Sequence, residues 1–151
     1  MNRRLRTLRA ALPALVAAVL LAAAALALTA CGRAEFAAGT TPDVPAAVAE
    51  AGASIRDQGT AENYFPGGRE AAWYVVSAGG SDEPAAVVSV LTFDSAAARD
   101  AAARDLDNAR RKGARQEGVY TYGNAVVLVN RISDQATVRA LDEALRAAGL
   151  K

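Results

Sequence analysis

At 151 residues the chain has room for one domain. With no histidine and a single cysteine it lacks the residues for an internal disulfide, a Cys/His zinc site or a histidine-based catalytic pair. Its formal net charge of +1 is unevenly spread, because four arginines and no acid precede position 31, leaving 13 basic against 16 acidic residues beyond it. A mildly acidic body has no electrostatic reason to bind nucleic acid or an anionic membrane surface.

Residues 1–30 divide into the parts of a secretory signal. Arg3, Arg4, Arg6 and Arg9 precede an uncharged run from Ala11 to Ala30 built almost wholly of Leu, Val and Ala. Positive charge retained on the cytoplasmic side sets the orientation of such a run in the bilayer. The run could also cross the roughly 30 Å hydrocarbon core as an uncleaved helical anchor. It ends in Leu28-Thr29-Ala30-Cys31-Gly32. This resembles the lipobox of bacterial lipoproteins, with Leu28, Thr29 and Ala30 before the modified cysteine. The resemblance implies diacylglyceryl transfer to the Cys31 thiol, cleavage before it, and a lipid-anchored, extracytoplasmic protein at the outer face of the cytoplasmic membrane. It covers about thirty residues of export signal and implies nothing about the rest. Residues 31–44, with small residues and no periodicity, read as a flexible tether, and two acyl chains hold a protein stably where one does so marginally.

Residues 45–151 read as a single α+β domain. Val44, Val48, Ala51 and Ile55 recur at helical spacing and predict a short amphipathic helix over about 45–57. The stretch 59–70, GTAENYFPGGRE, reads as a loop. Ala71–Ala78 and Ala85–Phe93 are strand-forming runs separated by GGSDEP, hence a hairpin. Asp94 or Ser95 then caps a helix whose inner stripe is Ala98, Ala102, Leu106 and Ala109, stopped by Gly113. Gly123-Asn124 predicts a type II′ hairpin in which Tyr122 faces Ala125 and Tyr120 faces Val127. Ser133 is expected to cap a last helix carrying Val138, Leu141, Leu145 and Ala148, with Gly149 as its left-handed stop and Leu150 folding back on Leu145.

A shift of 39 residues lays 86–106 over 125–145 with seven identities, Phe93 meeting Ile132. Two ββα units, about 71–112 and 117–149, predict a four-stranded, mostly antiparallel sheet with both helices on one face, preceded by the extra short helix and the N-terminal signal helix.

Candidate binding residues are aromatic. Tyr64 and Phe65 lie in the loop before Pro66-Gly67-Gly68, Trp73 and Tyr74 point to opposite faces of their strand, and Tyr120 and Tyr122 share a face. On an open sheet face Tyr120 and Tyr122, with Trp73 or Tyr74, would form a patch suited to sugars or peptides, although cross-strand packing explains them equally well. Asp82-Glu83 lacks EF-hand spacing, and nothing calls for a metal or cofactor. These features point to a non-catalytic, membrane-tethered binding or accessory module. Its partners are the membrane, through lipid on Cys31, and an envelope protein, peptide or glycan, but not nucleic acid. An interaction protein recruiting an envelope partner through a sheet edge is the second reading, and a carboxylate-dependent hydrolase the third.

Overall fold

The computed structural model describes residues 36–113 and 116–150. Leu28, Thr29, Ala30, Cys31 and the expected signal helix lie outside the described residues. None of the helices among the described residues is long and apolar enough to cross a membrane.

The first helix, α1, spans Val44–Glu50, with Asp43 as N-cap accepting from the Ala46 N–H at 3.0 Å. Gly52, at φ +67°, turns the chain directly into β1, Ala53–Glu62. The expected helix over 45–57 therefore stops after two turns, and most of the expected 59–70 loop is strand. Ile55, which continues the helical spacing of Val44 and Val48, packs against the same core from β1 instead.

Four more strands and two helices follow: β2 Gly68–Ala78, β3 Pro84–Phe93, α2 Ala96–Arg111, β4 Gln116–Tyr122, β5 Ala125–Arg131 and α3 Gln135–Ala147. The fold is α+β, with a five-stranded antiparallel sheet in the order β1-β2-β3-β5-β4. The fifth strand, β1, is the one the sequence reading missed. The β4–β5 hairpin has the expected register, Tyr122 opposite Ala125 and Tyr120 opposite Val127. Its turn places Gly123 at φ +52°, and a Cβ there would run into the Thr40 carbonyl oxygen.

The expectation that both long helices share one face fails. Val88, Val90, Val127 and Val129 pack with Val138, Leu141 and Leu145 of α3 and with Val44 and Val48 of α1. Leu91, Phe93, Val126 and Leu128, on the other side of the same strands, pack with Ala102, Ala103 and Leu106 of α2. The sheet thus lies between α2 on one face and α1 with α3 on the other. The repeat breaks where its two halves differ most. Phe93 is still paired in β3, opposite Gly68, and is buried against Phe65 and α2, whereas β5 ends at Arg131 and Ile132 is 55% exposed. With Phe93 as a large apolar anchor, the first connection folds α2 over that face. Ile132 offers no such anchor, and the second connection sends α3 to the face that α1 shares.

Helix ends follow local chemistry. Ser95 caps α2 through the Ala98 N–H. The cap of α3 is Asp134, not Ser133, whose hydroxyl donates instead to the Pro84 carbonyl. The C-terminus of α3 has both bonds of the Schellman pattern, Gly149 N–H to Arg146 O at 3.0 Å and Leu150 N–H to Leu145 O at 3.2 Å.

Candidate functional site

The aromatic residues expected to form a ligand surface are dispersed. Trp73 lies on the α2 side of the sheet, half-buried, its indole across Gly59 of the edge strand, where a Cβ would come within 2.7 Å of Cζ2. Covering a strand glycine with a neighbouring aromatic side chain restores packing that the glycine lacks. Tyr74 is on the other side, among the residues of the α1–α3 core, beside a hollow of about 180 Å³ lined also by Thr41, Thr60, Glu70 and Thr92.

Tyr120 and Tyr122 do share a face, as expected, but it is the face covered by α3. Tyr120 is 4% exposed and Tyr122 half-buried. Two strands, β3 and β5, separate them from Tyr74, a gap of about 14 Å at the usual strand spacing. Tyr64 and Phe65 diverge. The Phe65 ring meets the Phe93 ring edge-on at 6.5 Å, while Tyr64 is 85% exposed. No two of the three pairs combine into one surface.

A different constellation comes together between β4 and α3. A cleft of about 170 Å³ has Tyr120, Val129 and Val138 as its apolar floor and Glu117, Arg139, Asp142 and Arg146 among its walls. The Arg146 guanidinium lies over the Tyr120 ring at 5.2 Å and is held by Asp142 at 3.0 Å, one turn back on α3. Gly118 makes the arrangement possible, since the Tyr120 ring and hydroxyl occupy the space its side chain would need. Next to this cleft is a second hollow, of about 320 Å³, bordered by Glu117, Arg131, Ile132 and Ser133. Arg131 links the two by pairing with Glu117 at 3.0 Å and donating to Gln135 at 2.9 Å. Arg139 is exposed on the cleft wall and has no hydrogen bond or ion pair among the described residues.

Reasoning from the sequence missed these polar residues because they flank the apolar stripe instead of standing in it. A signal existed: Arg139, Asp142 and Arg146 fall at i, i+3 and i+7, one continuous side of α3 beside Val138, Leu141 and Leu145.

Asp107 is held below the usual carboxylate range by hydrogen bonds from Arg111 and then Arg110, and Asp134 by the Thr137 hydroxyl and the Thr137 and Ala136 N–H groups. Both networks belong to helix ends. Among the described residues no three carboxylate or thiol side chains converge as metal ligands would. Compared with protein-family models, curated proteins and solved structures, the chain matches none.

Proposed function

We propose that the chain is a lipid-anchored accessory module of the bacterial cell envelope, exported and held at the outer face of the cytoplasmic membrane through Cys31. It acts by binding an envelope polypeptide in the β4–α3 cleft, without catalysis. The observation that carries the anchoring is the position of the chain's one cysteine, directly after Leu28-Thr29-Ala30 and the end of a twenty-residue uncharged run.

Size and chemistry support the binding mode. Pockets that enclose small molecules measure about 300–1,000 Å³. At about 170 Å³ the cleft suits one side chain of a larger partner. The Tyr120 ring is buried and covered by Arg146, so it offers no face for a sugar to stack on. Arg139, without a hydrogen bond or ion pair among the described residues, favours an acidic side chain. A chain without histidine has no imidazole base, which supports a non-catalytic role.

Two measurements test this reading. Cys31→Ser removes the acceptor thiol, and the variant is expected to lose all labelling by a fatty-acid probe; labelling that persists rules out the lipobox. A photo-crosslinker at Arg139 is expected to trap a protein in intact cells that the same group at Arg104, exposed on α2, does not trap. Equal yields from both positions would remove the cleft as the binding site.

A further inference from the structure

The residues that follow Cys31 reach the folded domain quickly and at one end. Phe36 lies under the guanidinium of Arg99 at 5.7 Å, and the Thr40 carbonyl accepts the Asn124 N–H at 3.2 Å. The expected tether over 31–44 is therefore docked from residue 36 onward. Five residue steps lead from Cys31 to Phe36, a reach of about 18 Å at full extension.

Several connections meet at the same end. The Asp94 N–H binds the Gly67 carbonyl, the Phe93 N–H binds the Asn124 carbonyl, and Asn63 Nδ2 binds the Thr92 carbonyl. Residues 36–42 cover the buried β4–β5 turn and, with the β1–β2 loop, form one surface, from which Tyr64 projects. Residues 36–42, 63–68 and 122–125 contain no charge at all. Of the charges beside them, Asp43 caps α1 and Asp94 pairs with Arg69, while Glu62 and Glu70, opposite each other on β1 and β2, are exposed at the rim. At the opposite end of the sheet the connections carry Asp82, Glu83 and Asp134, beside Arg131 at the end of β5.

We infer that the surface formed by residues 36–42 and the β1–β2 loop rests on the phospholipid bilayer, with Tyr64 seated in its interfacial zone. This rests on lipidation of Cys31, which brings that end within reach of the membrane. Tyrosine is enriched at the membrane–water interface because its ring is apolar and its hydroxyl stays wet. An uncharged surface can approach the headgroups without stripping water from ions. Since the mature chain is mildly acidic, the contact depends on apolar and hydrogen-bonding groups and not on anionic lipid. The β4–α3 cleft then faces outward, because Glu117 is five residues along β4 from Tyr122, about 17 Å further from the bilayer.

The test uses the lipidated full chain in phosphatidylcholine vesicles containing a nitroxide-labelled lipid. Acylation consumes the Cys31 sulfur, so Tyr64→Cys or Asp82→Cys supplies the single free thiol for a polarity-sensitive fluorophore. Both positions are exposed, so neither substitution removes core packing. The label at 64 is expected to show a blue shift and loss of emission that salt does not reverse, and the label at 82 neither. Equal quenching at the two positions, with the acyl mass present on Cys31, overturns the orientation alone. Absence of the acyl mass overturns the lipidation reading and this inference with it.

Discussion

Arg99 is the side chain in which the domain concentrates most. It is 2% exposed, yet it is an arginine in a helix whose inner stripe is otherwise mainly alanine. Its planar fork explains this: Nε donates to Asp100 at 3.0 Å, one terminal nitrogen binds the Gly123 carbonyl, and the guanidinium face covers Phe36. A single lysine ammonium cannot make all three contacts at once. Arg99→Lys is therefore expected to cost about 1–3 kcal/mol, the penalty of leaving a buried carbonyl unpaired. Arg99→Ala is expected to cost more, because the ion pair to Asp100 and the cover over Phe36 are lost as well. Urea denaturation of the two variants reads the difference, and a lysine variant as stable as the parent would show that the fork is dispensable. In the sequence Arg99 looks like one of several helix arginines, and nothing in its spacing separates it from Arg104. Its role depends on the turn at Gly123, 24 residues away, which local patterning does not see.

Among the secondary elements, the question of why α2 and α3 take opposite faces has a direct test at the equivalent positions Phe93 and Ile132. Phe93→Ala should cost about 3–5 kcal/mol through the cavity it leaves. Ile132→Ala, at a 55% exposed site, should change stability by less than about 0.5 kcal/mol. Comparable thermal shifts in the two variants would mean that the anchor lies elsewhere. Helix caps give a second test. Asp134 accepts three bonds at the start of α3, which lowers its pKa in the folded state relative to the unfolded chain. The stability it contributes is present above the unfolded value and is lost as pH falls through the folded one. Asp134→Ala should lower Tm at pH 7, and the gap from the parent should close as the solution is acidified below the usual aspartate range. A gap that stays constant down to pH 2 would place the effect in packing and not in the carboxylate.

These elements also show what the sequence could convey. The β4–β5 register was legible because Gly123-Asn124 fixes the turn and the pairing then follows by counting. The end of α3 was legible for the same reason, a glycine at a position that requires positive φ. The boundary at Gly52 was not, because Ile55 happens to continue a helical period across a residue that breaks the helix. Nor was the face each helix takes, since α2 and α3 have similar stripes and the choice turns on one anchoring side chain at the end of a strand. The cleft was hidden more deeply. It needs Tyr120 from β4, Val129 from β5 and Arg146 from α3, and it depended on α3 covering that face.

At the scale of the whole molecule, the folded domain begins at a different residue from the one composition suggests. Small residues and a proline give 31–44 the look of a linker, but Phe36–Asp43 belongs to the fold. Phe36 packs under Arg99, the Thr40 carbonyl closes on the Asn124 N–H, and Asp43 caps α1. A soluble chain beginning at residue 36 should therefore fold with the full stability of the domain. One beginning at residue 44 loses the cap and the backbone bond at Thr40, and leaves Arg99 without its ring partner. At about 1 kcal/mol for the cap and about 1 kcal/mol for the hydrogen bond, it should be about 2 kcal/mol less stable. It should also lose protection of the Asn124 amide against hydrogen exchange, because the acceptor of that N–H has been removed. Equal denaturation midpoints, together with an unchanged exchange rate at Asn124, would return residues 36–43 to the status of a linker and remove the fixed orientation that the proposed membrane contact requires.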